Sequence, residues 1–269
     1  NNEDIFVDPR SVHALVDYYK MSMAFSNIKA DATKRSYNDH LRHVLSQHVG
    51  KKVFHAMHVS EVDYDYAKGL WLHIDTSVST HKANHTFKVL KLVWNEAVRG
   101  GKVKGNPFAL VKLPTLPDHE VMWTMEQLQG MVSYCDAKGF HSMGTMLTMC
   151  FEFCQRPVDV RKMKWANIDG RTGVSNFVQK KTGKFANENN NMPFSQDRCN
   201  KIFRSLANGF GLPEVQLRDQ FHRDGSQKYS TIWMSDLRRT GATHASRSGC
   251  TDRELMSLTG HKNPQMLVI

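Results

Sequence analysis

Three separated segments of the chain combine basic side chains with turn and helix-capping residues. They are Cys-Gln-Arg-Pro-Val-Asp-Val at 154–160, Lys-Lys-Thr-Gly-Lys at 180–184, and Ser-Asp-Leu-Arg-Arg-Thr-Gly-Ala-Thr at 235–243, with Leu-Thr-Gly-His following at 258–261. Arginine and lysine bind phosphate oxygens through charge-assisted hydrogen bonds, and histidine gains or loses a proton near neutral pH. If the fold brings these groups together, they would hold a phosphate and exchange a proton beside it.

In this order the segments resemble the tyrosine recombinase (phage integrase) family. The family pattern is an Arg segment with a Trp and an Asp-Ile-Asp strand, a Lys in a hairpin, His-x-x-Arg-Arg-Thr-x-Ala-Thr, Leu-Gly-His, and a Tyr nucleophile. The first half, with its Asn-Pro-Phe turn at 106–108, is similar to the family's core-DNA-binding domain, so the resemblance covers nearly the whole chain. Any one segment alone is a weak signal, whereas the Arg-Arg-Thr-Gly-Ala-Thr and Gly-His combination at this spacing is fairly specific.

The resemblance assigns roles to five residues. Arg156 and Arg238 match the two catalytic arginines, Lys181 matches the hairpin lysine, and His261 matches the Gly-His histidine. Asp159 matches an acidic residue that supports the first arginine without touching the substrate. Taken singly, each arginine is more typical of a surface or ion-pairing residue. Asp159 alone is typical of a partner to a neighbouring basic residue, and His261 alone is typical of a residue at a helix terminus.

The implied chemistry is transfer of a DNA phosphate to a protein tyrosine. Two guanidinium groups would neutralise the charge that develops on a five-coordinate phosphorus. The lysine would donate a proton to the leaving 5′ oxygen, and the histidine would accept a proton or donate a hydrogen bond to the phosphate. The 3′-phosphotyrosine would retain the energy of the phosphodiester, so no metal, ATP or other cofactor is expected.

Two positions depart from the family pattern. Ser235 stands where the family has His or sometimes Lys, three residues before Arg238; we interpret it as a helix N-cap that can also hydrogen-bond phosphate. No tyrosine follows Tyr229, and the family spacing would place the nucleophile just beyond Ile269. The expectation is therefore a C-terminally truncated chain that binds DNA without cleaving it.

The charge balance favours a polyanionic partner. The 36 Lys and Arg exceed the 26 Asp and Glu, giving a formal net charge of +10. The two halves of the chain share the excess of positive charge. There are 16 basic and 11 acidic residues up to Pro117, and 20 basic and 15 acidic residues after it. Nucleic acid is the first candidate and an anionic membrane surface the second. We predict DNA contacts for a set of basic side chains, each of which could also be merely solvated: Lys82, Lys88, Lys184 and Arg239.

Composition excludes several other classes of protein. Hydrophobic residues make up 40% of the 269, enough for a buried core, and no apolar run is long enough to span a membrane. The five cysteines are an odd number without a Cys-x-x-Cys pair, which indicates reduced thiols rather than disulfides. Several of the fourteen histidines have helical ligand spacing, but no His-Glu-x-x-His motif occurs, so no metal site is predicted.

The apolar pattern of the first half predicts an all-helical bundle over residues 1–113. One helical face carries Val12, Leu15, Val16, Tyr19 and Met23, and another carries Phe87, Leu90, Trp94 and Ala97. Thr33 is the predicted cap of a second helix, and Ser60 with Asp63 a predicted capping box. The Pro-containing stretch at 114–117 predicts a linker.

The second half, 118–269, is predicted to be an α+β catalytic domain. Helices are expected to begin at the capping boxes of Thr124 with Gln127 and Thr251 with Glu254, and at Ser235 or Asp236. A last helix is expected after Asn263-Pro264. Between them, the turn at 169–170 and the strand-like residues 174–179 predict a small antiparallel sheet, with helices resuming after it. The fold class is thus mostly α with a small antiparallel β-sheet.

These observations favour a site-specific DNA recombinase acting as a homodimer on one site and a homotetramer in synapsis. Double-stranded DNA is the expected partner, no membrane is involved, and a cytoplasmic location in a prokaryotic or phage-infected cell follows from the resemblance. Ser235 and the missing tyrosine keep open a non-catalytic DNA-binding protein on a recombinase scaffold. A metal-dependent nuclease using the histidines is a weaker alternative.

Overall fold

The structure is a computed structural model of the 269-residue chain. It describes residues 8, 10–49, 52–117, 121–164, 166, 169–172, 195–221, 226–261, 263, 264 and 267. The chain divides into two compact units, Asn1–Pro117 and Asp118–Ile269.

The first unit is built of helices with one very short hairpin. Its elements are α1 (Val12–Met21), α2 (Met23–Ser26), α3 (Asp31–Leu45), β1 (His48–Val49), β2 (Lys52–Val53), α4 (Tyr64–Ser77), α5 (Thr80–Arg99) and α6 (Pro107–Leu110), with 3-10 turns at Phe54–Ala56 and Val59–Glu61. The strands pair antiparallel, His48 with Val53 and Val49 with Lys52. The sequence did not predict this hairpin, because two-residue strands leave no alternating pattern.

Helix α5 is the centre of this unit, as its apolar face predicts. Phe87, Leu90, Trp94 and Ala97 are all buried along it, and α5 ends at the C-cap Gly100. Phe54 stacks on Trp94 and Phe108 contacts it edge-on, so the ring cluster joins α5 to the 3-10 turn and to α6. Met23 does not join the core and is 77% exposed, because α1 stops at Met21 and Ser22 caps a new helix.

Two predicted helix caps of the first unit are wrong. Helix α3 begins two residues before Thr33, with Ala30 at the N-cap and no side-chain cap bond. The cap of α4 is Asp63 itself, whose carboxylate accepts a hydrogen bond from the Tyr66 amide at 2.8 Å. Aspartate serves as an N-cap as readily as serine, so the Ser60 partner was not needed.

The second unit combines helices with one antiparallel hairpin. Its described elements are α7 (Met125–Ala137), α8 (His141–Glu152), α9 (Pro157–Val160), α10 (Gln196–Phe210), β3 (Glu214–Phe221), β4 (Gln227–Thr231), α11 (Asp236–Arg247) and α12 (Asp252–Thr259). The mostly α fold with a small antiparallel sheet is confirmed. The predicted capping boxes of α7 (Thr124 with Gln127) and α12 (Thr251 with Glu254) are both present.

The described hairpin lies in a stretch where helices were predicted. Strand β3 pairs with β4 from Glu214–Thr231 to Phe221–Gln227, with an irregularity in the register between Gln216 and Phe221. The alternation of β3 is short, with Val215 and Leu217 apolar and a break at Asp219, and β4 has no alternating apolar residues. The strand predicted at 174–179 lies outside the described residues, and so does most of the helix predicted after Asn263.

The core of the second unit joins α7, α8, α10 and the start of α11. Cys135, Cys150, Cys154 and Cys199 are buried free thiols in this unit, whereas Cys250 is exposed at the turn between α11 and α12. Burial raises the pKa of Cys135 and of Cys154 to about 11, so these thiols stay protonated and unreactive at neutral pH. In the described part of the chain, no helix has the length and apolarity needed to cross a membrane.

Candidate active site

The end of α12 places His261. The helix begins at the Thr251–Glu254 capping box and ends at Gly260, whose left-handed conformation (φ 70°) turns the chain out of the helix. His261 is therefore the first residue after the helix terminus. Its position depends on the rigid last turn of α12 rather than on a loop.

The turn between α8 and α9 places Arg156. Cys154 has a positive φ of 48°, which is unusual for a residue with a side chain, and Arg156 follows as the N-cap residue of α9. Gln155 is buried, and its Nε2 donates hydrogen bonds to the carbonyl oxygens of Phe153 at 2.9 Å and Leu258 at 2.5 Å. The second of these bonds ties the Arg156 turn directly to α12.

The first turns of α11 place Arg238. The carboxylate of Asp236 accepts a hydrogen bond from the Trp233 amide at 2.8 Å, which fixes the chain as it enters the helix. One turn after Arg238, Gly241 faces the end of α8, where a β-carbon would overlap the Phe151 carbonyl oxygen and touch the Cys154 sulfur. Glycine at this position lets α11 approach the α8–α9 turn closely enough to bring Arg238 near Arg156.

Arg156, Arg238 and His261 form one cluster, which we call the cation pocket. Nη2 of Arg238 donates to the Thr259 carbonyl oxygen at 2.7 Å and lies 3.1 Å from Nε2 of His261. Nη1 of Arg238 is buried and has no hydrogen-bond partner among the described residues. Arg156 has a 29% exposed side chain, 3.9 Å from the buried carboxylate of Asp159. An unpartnered buried guanidinium nitrogen is a feature that an anionic ligand would satisfy.

The pKa values of the pocket reflect burial and mutual repulsion. Burial, with the neighbouring charge of Arg156, lowers the pKa of Arg238 to about 10. Burial and the charges of Arg238 and Arg156 also lower the pKa of His261. At neutral pH the pocket thus holds two positive guanidinium groups and a neutral imidazole. Such a site can bind a phosphate through the arginines and accept a proton on the histidine.

The fold is similar to that of several solved structures. The structure is similar to lambda integrase in a dimer bound to a COC′ core site (TM-score 0.69, 16% identity, 96% of this chain and 76% of the integrase chain). Lambda integrase in a tetramer bound to a Holliday junction gives a TM-score of 0.70 at 14% identity over 96% and 77% of the two chains. The Tn1549 transposon integrase in complex with circular intermediate DNA has a TM-score of 0.68 and 14% sequence identity. The match covers 96% of this chain and 94% of the transposon integrase chain.

The chain has the integrase fold. The resemblance to tyrosine recombinases predicted from the three segments is thereby confirmed at the level of fold. No protein-family profile and no curated protein sequence matches the chain. The likeness to integrases is thus shown by the fold of the chain, which matches them at 14–16% sequence identity.

The other residues predicted for the site lie in different surroundings within this integrase fold. Asp159 is buried beside Arg156, as its supporting role would need. Ser235 is exposed and stands at the predicted N-cap position of α11, but its conformation is helical (φ −64°, ψ −25°) and its side chain makes no cap hydrogen bond; the Asp236 carboxylate bonds the Trp233 amide at the helix start instead. Lys181 and Lys184 lie outside the described residues. Arg239 follows Arg238 in α11 and is half-buried.

The two basic residues predicted to contact DNA in the first unit lie on α5 beside a group of histidines. Lys82 is half-buried and Lys88 is exposed. The charge of Lys82 adds to burial in lowering the pKa of His40, which falls to about 4. The rings of His40 and His85 stack with centroids 5.7 Å apart. Within the described ranges, no three His, Cys, Asp or Glu side chains are arranged to hold a metal ion.

Sequence reasoning missed two residues that hold the pocket together. Gln155 bridges two carbonyl groups, and Thr259 contacts both Arg238 and His261. Both use hydrogen bonds to or from the backbone, which leave no spacing pattern in the sequence. The only signal was a polar residue next to each recognised motif, between Cys154 and Arg156 and before Gly260.

Proposed function

We propose that the chain is a site-specific DNA recombinase of the tyrosine recombinase type, which cuts and rejoins DNA strands through a 3′-phosphotyrosine intermediate. The observation that carries the proposal is the meeting of Arg156, Arg238 and His261 in one pocket, with a buried guanidinium nitrogen that lacks a partner among the described residues. The likeness of the fold to integrases solved with DNA supports it.

In the proposed reaction, a tyrosine hydroxyl attacks the phosphorus of one DNA strand. The new bond joins the tyrosine oxygen to phosphorus, and the bond between phosphorus and the 5′ oxygen breaks. His261 takes the tyrosine proton, Lys181 donates a proton to the leaving 5′ oxygen, and the two arginines neutralise the phosphoryl oxygens. Attack by a 5′ hydroxyl of the partner strand reverses these steps and releases the tyrosine.

Two parts of this mechanism rest on the family resemblance alone. The nucleophile is proposed to follow Ile269, at the spacing that the family has between its histidine and tyrosine. Lys181 is proposed as the proton donor because it matches the hairpin lysine. Ser235 takes the place of the usual histidine; its hydroxyl can donate a hydrogen bond to phosphate but is not a base at neutral pH.

The proposed partner is double-stranded DNA, bound by a homodimer on one site and by a homotetramer in synapsis. Lambda integrase was solved both as a dimer on a core site and as a tetramer on a Holliday junction, which supports this assembly for the present chain. The +10 net charge favours a nucleic-acid partner. We also propose that the protein acts in the cytoplasm of a prokaryotic cell.

A second candidate is a DNA-binding protein without strand cleavage, built on the same scaffold. The exposed Ser235 in place of a basic residue favours it. In this alternative the cation pocket would hold a backbone phosphate of the DNA without activating it. Binding would then be unaffected by the loss of a nucleophile.

Trapping of a covalent intermediate separates the two. The full-length gene product would be mixed with nicked duplexes that tile the DNA flanking the gene, so that a cleaved fragment diffuses away and the intermediate accumulates. We expect an SDS-stable protein–DNA adduct that forms in EDTA and does not form with Arg238→Ala. The matched control is Arg247→Ala, an exposed arginine at the other end of α11, which should keep the adduct.

The other outcomes each decide against part of the proposal. DNA binding with no adduct on any duplex would overturn the recombinase and favour the binding protein. An adduct or nick that requires Mg²⁺ would overturn the metal-free mechanism. An adduct that survives Arg238→Ala would overturn the role of the cation pocket.

A further inference from the structure

Thr259, the last residue of α12, contacts two members of the cation pocket. It is 1% exposed and lies directly before the left-handed Gly260. Its carbonyl oxygen accepts a hydrogen bond from Nη2 of Arg238 at 2.7 Å. Its hydroxyl lies 2.6 Å from the Leu255 carbonyl oxygen and 3.1 Å from Nδ1 of His261. One buried side chain therefore lies between the helix backbone and the imidazole.

Donor and acceptor chemistry fixes where the imidazole proton must be. A carbonyl oxygen only accepts, so the single hydroxyl proton of Thr259 goes to Leu255, and a lone pair of Oγ1 faces Nδ1 of His261. Nδ1 must then carry the proton. On the other side of the ring, a guanidinium only donates, so Nε2 must offer a lone pair to Arg238 at 3.1 Å. Both contacts require the same tautomer.

We propose that Thr259 is a positioning residue that holds His261 as the neutral tautomer protonated on Nδ1, with the Nε2 lone pair directed to the cation pocket. The family pattern has Leu before Gly-His, and a hydrocarbon side chain cannot accept a bond from Nδ1. The device is therefore a property of this chain. The depressed pKa of His261 agrees with a neutral ring.

The consequence for chemistry rests on the proposed function. Two roles are open to the histidine, acceptance of a proton and donation of a hydrogen bond to phosphate. A neutral ring with its lone pair on Nε2 can perform only the first at that nitrogen. His261 would thus accept the proton of the attacking hydroxyl on Nε2 once Arg238 turns its Nη2 donor from Nε2 to the phosphate, with Thr259 as the group that stabilises the proton left on Nδ1.

Nitrogen NMR of the free protein tests the tautomer without DNA or activity. The chain would be labelled with ¹⁵N-histidine, and the His261 ring would be assigned by the disappearance of its signals in His261→Gln. Above its pKa, the wild-type ring should show a protonated, pyrrole-type Nδ1 and an unprotonated, pyridine-type Nε2. Thr259→Ser should keep this pattern because the hydroxyl remains, and Thr259→Val should abolish it.

The matched control is Thr86→Val in the first unit. Thr86 is also buried, and its hydroxyl lies 2.9 Å from Nδ1 of His40, so this variant should alter the His40 signals and leave those of His261 unchanged. A wild-type His261 protonated on Nε2 would overturn the proposal, and so would an unchanged tautomer in folded Thr259→Val. If Thr259→Val does not fold, the wild-type and Thr259→Ser spectra still decide the outcome.

Activity provides a separate measurement in the full-length gene product. Thr259→Val should slow adduct formation by about ten- to a hundredfold, less than loss of the general base itself because the imidazole remains, and should change the acid limb of its pH profile. Thr259→Ser should restore most of the rate. If the wild-type protein forms no adduct, the proposed function fails while the tautomer result stands on its own. An unchanged rate and pH profile in Thr259→Val would overturn the catalytic part of the inference.

Discussion

Arg156 and Arg238 repel one another in the free protein, and an anion would relieve that repulsion. Burial and the like charge of Arg156 both lower the pKa of Arg238. Its Nη1 adds a buried donor without a hydrogen bond to any described residue. A site of this kind is less stable empty than occupied, so ligand binding should be visible as a gain in the stability of the fold.

We therefore predict that inorganic phosphate or pyrophosphate raises the melting temperature of the protein. Arg238→Gln and Arg156→Gln should each remove most of this increase, because each deletes one of the two guanidinium groups. The measurement is a thermal unfolding titration at constant ionic strength. Arg247→Gln, in the last turn of α11, is the control and should respond as the wild type does. An equal increase in all four proteins would contradict a specific anion site.

Some residues of the cation pocket could be predicted from the sequence, and others could not. The proximity of Arg156, Arg238 and His261 agrees with the expectation from the sequence, because their motifs carry recognisable neighbours. Their catalytic roles stay predictions. Gln155 and Thr259 could not be predicted, since each acts through a backbone group whose position depends on the tertiary fold. Ser235 occupies the predicted N-cap position without a side-chain cap bond, and the carboxylate that bonds the backbone at this turn is that of Asp236.

At the scale of elements, the contact between α11 and the end of α8 positions the pocket. Gly241 has no β-carbon to hold the two backbones apart. Backbone atoms, unlike the end of a flexible side chain, cannot move aside without shifting the helix. Any side chain at 241 would therefore displace Arg238 from Arg156.

Gly241→Ala should destabilise the second unit by roughly 1–3 kcal/mol, as overpacking in a well-filled interior does. It should also weaken phosphate binding. Gly69→Ala is the matched control, because a β-carbon there meets nothing within 4 Å in the middle of α4. That change should stabilise the protein by about 0.5–1 kcal/mol through helix propensity. Urea unfolding of both variants gives the comparison; equal effects would contradict the close approach.

The contact between α3 and α5 should make the first unit sensitive to acid. Burial and the charges of Lys82, His85, His43 and His81 lower the pKa of His40 to about 4. Between pH 6.5 and 4 the unfolded chain binds a proton at His40 that the folded chain does not, so stability falls as the pH falls through this window.

His40→Asn should flatten this decline in stability. Its melting temperature should fall less than that of the wild type between pH 6.5 and 4, because the replaced side chain binds no proton in either state. His48→Asn, at an exposed position of β1, is the control and should follow the wild type. Parallel pH curves for wild type and His40→Asn would show that other groups dominate.

Elements with their own local signal were predicted well. The capping boxes of α7 and α12 and the buried face of α5 all follow from short-range rules. The hairpin β3–β4 was missed because the alternation of β3 is short and breaks at Asp219, and β4 has none. The cap of α4 was missed because Ser60 and Asp63 are both suitable residues, and that of α3 because its N-cap, Ala30, has no side chain that can cap.

At the scale of the whole molecule, the positive charge is spread over both units rather than concentrated in one tail. A protein that contacts several phosphates releases one condensed counterion for nearly every contact, so its affinity for DNA falls steeply with salt. The mostly α architecture was predictable from composition and periodicity, but the share of each unit in DNA binding is not a property of composition.

We predict that Lys82→Gln and Lys88→Gln each reduce the salt dependence of DNA binding. The slope of log K against log salt should become shallower by about 0.9 for each lysine–phosphate interaction that the substitution removes. Lys68→Gln, an exposed lysine of α4, is the control and should leave the slope unchanged. Fluorescence anisotropy with duplex DNA from about 50 to 200 mM salt makes the measurement. Identical slopes in all variants would place the DNA-binding surface elsewhere.

The distribution of thiols makes the unaltered chain suitable for labelling. Cys250 alone among the five cysteines reaches solvent, at the turn that joins the helices of Arg238 and Thr259. A maleimide fluorophore would attach there in a single step and leave the core thiols untouched. Its emission would then report ligand binding at the adjacent helices, without any engineered reporter site.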